Sequence, residues 1–150
     1  MRALLQRVRE ASVVIGGSTV ASIGHGLLVL CGVSPADTDA DRAWLSRKIA
    51  SLRIFDDDAG VMNRSIDDVA GELLAVSQFT LYASTRKGAR PSYSGAAPPE
   101  LAAPAFSAFV RVLEHDLGKR VATGVFGARM RVSLINDGPV TIWLDTATRE

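Results

Sequence analysis

Between Arg2 and Val33 the chain passes through three β-prone segments with only glycine turns between them. Residues 2–15 are rich in Leu, Val and Ile. Gly16-Gly17 interrupts them, residues 18–23 follow, Gly24 and Gly26 flank His25, and residues 27–33 form one apolar run. Parallel neighbours need a crossover of roughly a dozen residues or more. No such length is available here, so these segments are expected to pair antiparallel, the first two as a hairpin over Gly16-Gly17. Whatever fold the chain adopts is built around that early sheet.

Two helices are expected to cover it. Thr38 and Asp41 stand three residues apart, the spacing of a capping box, in which each side chain satisfies the other's orphan backbone N–H. Trp44, Leu45, Ile49 and Leu52 then fall near one face, with Arg42, Arg47, Lys48 and Arg53 largely elsewhere. The second helix follows Pro98-Pro99. Its apolar stripe is Phe106, Phe109, Val110, Leu113 and Leu117, and Gly118 supplies a stop. Between the helices, Asp56-Asp57-Asp58 with Gly60 reads as a solvated polar loop. Residues 72–79 read as a buried strand and residues 83–99 as a surface loop.

Near the C-terminus Met130, Val132 and Leu134 alternate with polar residues as in a half-buried strand. Asn136-Asp137-Gly138-Pro139 is expected to break it before a final strand over 140–144. The expected architecture is a single α+β domain over residues 1–150: a curved, largely antiparallel, barrel-like sheet with two main helices packed on it.

Charge narrows the function. Seventeen Lys and Arg against sixteen Asp and Glu leave a net charge of +1, too little for a protein that coats long nucleic acid. The single cysteine, Cys31, excludes an internal disulfide and a cysteine-rich zinc site, and lies where a buried small hydrophobe is expected. Early charge rules out a signal peptide, and no apolar stretch is long enough to span a bilayer, so a cytoplasmic protein without membrane attachment is expected. Neither His25 nor His115 stands beside a candidate nucleophile, and His115 suits the end of the second helix. No metalloprotease, nucleophile-elbow or phosphate-loop motif is present, so no metal or cofactor is called for.

Two segments remain. In Ser77-Gln78-Phe79-Thr80-Leu81, hydrogen-bonding side chains cluster where an apolar strand ends; they either bond local backbone or serve a ligand. In Asn136-Asp137-Gly138-Pro139-Val140-Thr141, the Gly-Pro step restricts the backbone severely. It is either a hairpin turn or a rigid probe whose carbonyls face a ligand. A probe of backbone atoms has no rotamer freedom, which suits a site that must distinguish mirror images.

Both segments, with Leu5-Gln6-Arg7-Val8, Ile23-Gly24-His25-Gly26, Leu52-Arg53-Ile54-Phe55, Met62-Asn63 and Lys87-Gly88-Ala89-Arg90-Pro91-Ser92 in the same order, make the chain resemble the D-aminoacyl-tRNA deacylase family along essentially its whole length. The resemblance implies hydrolysis of the ester joining a D-amino acid to tRNA, and of mischarged glycyl-tRNA, in translation quality control. It implies a homodimer with an active site shared across the interface. Ser77, Gln78, Phe79 and Thr80 of one subunit would face Gly138 and a cis Pro139 of the other, which would exclude L side chains. Arg7 would brace the Gly-Pro motif, with Asn136 and Thr141 supporting it; standing alone, Arg7 reads as a surface strand arginine. Arg86, Lys87 and Arg90 are candidates for phosphate contacts with the tRNA acceptor end, or a solvated loop. Rival readings are a nucleic-acid-binding module without hydrolysis and an editing domain attached to a synthetase.

Overall fold

The computed structural model describes residues 1–149, and its centre is one long strand, β1 (Arg2–Ile15). A glycine turn with φ of 58° at Gly16 and 87° at Gly17 leads into β2 (Ser18–Ile23), and β3 (Gly26–Gly32) follows. Both pair antiparallel with β1, β3 along its first half and β2 along its second, as the short connections require.

Helix α1 (Asp39–Ser51) opens with the expected capping box. The Thr38 hydroxyl accepts from the Asp41 N–H at 3.3 Å, and the Asp41 carboxylate accepts from the Thr38 N–H at 2.8 Å. A small hairpin, β4 (Phe55–Asp56) and β5 (Met62–Arg64), carries the acidic run. Its three carboxylates go to different partners: Asp56 to Arg7, Asp57 to the Ala59 and Val61 N–H groups of its own turn, and Asp58 to Arg64. That is the polar loop expected from the sequence.

β6 (Glu72–Ser77) lies parallel to β3, and the two-residue β7 (Ala122–Thr123) lies parallel to β6. The sheet is therefore mixed: β3 and β2 lie end to end along one edge of β1, β6 and then β7 follow beyond β3, and β8 (Arg131–Asp145) runs along the other edge of β1. The parallel half exists because the two later connections contain α1 and α2 (Pro99–Leu117), long enough for crossovers. Gly26 sets how closely β3 meets β6: a Cβ there would lie 1.8 Å from the Glu72 carbonyl oxygen. The helices pack together over one face of the sheet, where Leu45, Ile49, Phe106, Phe109 and Leu113 join Leu5, Leu27, Val29 and Leu73 in the main core. Gly118 ends α2 at φ 62°, its N–H donating to the His115 carbonyl. Cys31 is buried.

Two expectations change. The strand expected over 72–79 ends at Ser77, and Phe79–Tyr82 form a 3₁₀ turn. The Asn136–Pro139 segment does not end a strand or reverse the chain. β8 runs through it, and both halves pair antiparallel with β1. Thr141 is opposite Gln6 and Asn136 is opposite Val8, so Asp137, Gly138, Pro139 and Val140 stand out as a bulge facing Arg7.

Thr38→Ala should destabilise the protein by about 1 kcal/mol at neutral pH in a denaturant titration. The Thr38 hydrogen bonds hold the Asp41 carboxyl well below the ordinary carboxylate range, with Arg149 adding to the effect. Because the folded value is depressed, this stabilisation is complete above about pH 4 and declines as the pH falls towards the folded value. The penalty of the variant should shrink in the same acidic window.

Candidate active site

Ser77 ends β6, and the chain leaves the sheet with Gln78, whose N–H donates to the Cys31 carbonyl at 2.7 Å. The 3₁₀ turn that follows has no capping side chain. No group among the described residues accepts from the N–H of Phe79 or Thr80. These are orphan donors of the kind found at any helical start. The Gln78 side-chain amide donates to the Thr80 hydroxyl, which fixes both side chains on the turn. So the polar cluster serves partly as local bonding and leaves two backbone donors free.

Beside the turn is a cavity of about 590 Å³. Ser77, Gln78 and Phe79 form one wall, Pro98, Ala102 and Phe106 at the start of α2 a second, and Phe126, Met130 and Val132 a third. Phe79 is 55% exposed and meets Tyr93 edge to face, ring centroids 5.1 Å apart, at the same cavity. Cys31 also touches the cavity, but burial pushes its thiol up to about 12, so it stays protonated and unreactive near neutral pH. Tyr93 and Phe126 were not anticipated. They come from separate loops and follow no periodic pattern, so only the folded chain brings them together.

The second signature is built on β8. The Gly138-Pro139 peptide is cis, and both residues are exposed. Arg7 is not a surface residue but is 5% exposed beneath this bulge. Its Nε donates to the Asp137 carbonyl at 3.0 Å; its Nη1 donates to the Ile54 carbonyl at 2.8 Å and to the Asp56 carboxylate at 3.3 Å. The guanidinium's rigid fork of donors is what allows one side chain to hold a strand, a hairpin and a bulge together. Asn136 closes the bulge, its Nδ2 donating to the carbonyls of Arg7 and Val140 at 2.9 Å each. The Thr141 hydroxyl accepts from Gln6 Nε2 at 3.3 Å. Gly138 has φ 132°, and a Cβ there would lie 2.7 Å from Val140 Cγ2 and 3.1 Å from Arg7 Nη2, so only glycine fits.

Neither Gly138 nor Pro139 is among the residues lining the cavity within one chain. Arg86, Lys87 and Arg90 are exposed in the loop after the turn, and none of them makes an ion pair among the described residues. No helix among the described residues is long and apolar enough to cross a membrane.

The chain matches the family described as D-Tyr-tRNA(Tyr) deacylase over residues 4–145. It is 60% identical over 146 residues to a D-aminoacyl-tRNA deacylase of Chlorobaculum parvum, covering 97% of this chain and 98% of the relative. It is 59% identical to one of Chromobacterium violaceum over 150 residues, covering 100% of both chains. Among solved structures, a c-Myc DNA unwinding element binding protein superposes with a TM-score of 0.89 at 41% identity, covering 97% of this chain and 98% of that one. A probable eukaryotic D-amino acid tRNA deacylase shares the fold, with a TM-score of 0.80 at 17% identity over 95% and 97% of the two chains. Fold, site and relatives define a hydrolase of the class that acts on aminoacyl-tRNA esters. Within that class, the chain belongs to the D-Tyr-tRNA(Tyr) deacylase family.

Arg7→Ala strips the Ile54 and Asp137 carbonyls of their donor and leaves Asp56 unpaired. It should cost about 3 kcal/mol in a denaturant titration. In hydrogen exchange the strand segments that flank the bulge, at Asn136 and Thr141, should lose protection beyond the global change.

Proposed function

We propose that this protein hydrolyses D-aminoacyl-tRNA, and mischarged glycyl-tRNA, to free amino acid and tRNA, as a cytoplasmic homodimer in translation quality control. The observation that carries this reading is a separation. The turn with free N–H donors lies at a cavity, while the braced Gly138-Pro139 tip is exposed and does not line that cavity in its own chain. A second copy brings the two together. Exposed Ile135 and Trp143 on the same strand offer apolar surface to such a partner.

In this reading the terminal adenosine of the tRNA enters the cavity beside Ser77 and Phe79, where Phe79 and Tyr93 offer aromatic faces to its base. The ester carbonyl lies near the Phe79 and Thr80 N–H groups, which receive the developing oxyanion. Water attacks the carbonyl carbon, the bond to the ribose oxygen breaks, and that oxygen takes up the proton. The 2′-hydroxyl of the adenosine assists the water. The Thr80 hydroxyl accepts from Gln78 and has no neighbouring base, so it positions substrate and does not attack. The partner's Gly-Pro carbonyls hold the α-amino group and block the side chain of an L-amino acid. Glycine has no side chain to block, so glycyl-tRNA passes the filter. Arg86, Lys87 and Arg90 contact phosphates of the acceptor end; so few contacts make binding weak and salt-sensitive.

A second reading is binding of nucleic acid without hydrolysis, favoured by the description of the 41% identical solved relative as a DNA unwinding element binding protein. Single-turnover deacylation of D- and L-tyrosyl-tRNA without added metal separates the two. Rapid release of D-tyrosine with L-tyrosyl-tRNA untouched is expected, and release of neither would establish the binding reading. Thr80→Ala should keep the rate within about tenfold of the parent, because an unactivated hydroxyl is a poor nucleophile; a loss of several orders of magnitude would assign the attack to Thr80. Gly138→Ala, whose Cβ forces the bulge to move, should narrow the difference between D- and L-substrates.

A further inference from the structure

Arg2 opens β1, far in sequence from both signatures, and four groups engage its guanidinium. Nε donates to Asp145 Oδ2 at 2.9 Å, and Nη1 donates to the Leu81 carbonyl at 3.0 Å. The guanidinium carbon lies 4.4 Å from the centre of the Tyr82 ring and 5.7 Å from that of Trp143. Leu81 and Tyr82 are the second half of the turn that begins with Phe79 and Thr80. The Tyr82 ring is confined in turn: a Cβ on Gly32 would lie 3.2 Å from it. Asp145 and Trp143 belong to β8, the strand that carries Gly138-Pro139.

The Arg2 side chain is 32% exposed and that of Asp145 10%, so the ion pair is partly buried and ties the start of β1 to the end of β8. The geometry has a second consequence. The Leu81 carbonyl is bonded one residue beyond Thr80, so Arg2 fixes the far end of the turn while the Gln78 N–H and side chain fix its near end. A point charge on a flexible stem lacks the planar face and the divergent donors that reach Asp145, Leu81 and Tyr82 together.

We propose that Arg2 is a positioning residue for the deacylation. It clamps the Phe79–Tyr82 turn to the start of β1 and so holds the Phe79 and Thr80 N–H groups where the ester carbonyl needs them. The inference rests on the deacylase reading above. Catalytic rates are sensitive to sub-ångström placement of such donors, and a displacement of about 1 Å can cost around a hundredfold.

The test compares Arg2→Ala with Asp145→Asn. Both abolish the Arg2–Asp145 ion pair, but only the first frees Leu81 and Tyr82. Single-turnover release of D-tyrosine from D-tyrosyl-tRNA is measured for parent and variants well below their melting temperatures, as a function of enzyme concentration. The expected result is a roughly tenfold slower rate at saturation for Arg2→Ala with an unchanged half-saturating concentration, and Asp145→Asn within about twofold of the parent. Arg2→Lys should fall between Arg2→Ala and the parent. Equal slowing by Arg2→Ala and Asp145→Asn overturns the proposal in favour of a merely structural ion pair. An Arg2→Ala rate within twofold of the parent, or a change only in half-saturation, overturns it outright. An inactive parent overturns the deacylase reading itself, and the two failures are therefore distinct.

Discussion

The structure depends on β1 being hydrogen-bonded along both edges. On one side it pairs with β3 and then β2; on the other it pairs with β8 over nearly its whole length. A strand held this way cannot slip by one residue without sending Leu5, Val8 and Val13 out of the cores they fill. Its rigid register is what makes the irregularity in β8 definite. Between the Gln6–Thr141 and Val8–Asn136 pairs the partner strand has surplus chain, and that surplus projects as the Gly138-Pro139 tip.

Arg7 stands opposite the surplus and turns a loose bulge into a fixed one. Burying a guanidinium is costly unless its donors are used, and here they reach the Asp137 and Ile54 carbonyls and the Asp56 carboxylate. The β4–β5 hairpin, which looks incidental in the topology, supplies the Asp56 carboxylate, and Ile54 just before it supplies a carbonyl. A second arginine, Arg2, makes comparable use of its fork at the start of β1, on the turn that carries Thr80. The central strand thus bonds both signatures through the side chains of Arg2 and Arg7, one for each.

The elements set by local rules were legible without coordinates. The three early strands and their antiparallel pairing follow from the lack of any crossover length. The Thr38–Asp41 box and the Phe106–Leu117 stripe announced their helices because capping and 3.6-residue periodicity act within a few residues. The parallel half of the sheet was less visible, since sequence alone does not say which edge a strand takes after a helix. The continuation of β8 through Asn136–Pro139 was misread as a break because Gly and Pro are usually punctuation. Here the neighbouring strand keeps the chain running on past them.

The sequence by itself determined the chemistry available: a single thiol, no histidine beside a nucleophile, and two short signatures that resemble one family along the whole chain. It also named the residues of those signatures, since identity and order survive without coordinates. Only the tertiary structure decided that Arg7 is buried under the bulge and that Tyr93 and Phe126 meet Phe79 around one cavity. These facts depend on contacts between residues far apart in the chain. Such contacts leave no periodic or local trace, because their geometry is fixed by how the strands and helices pack and not by the residues that adjoin them.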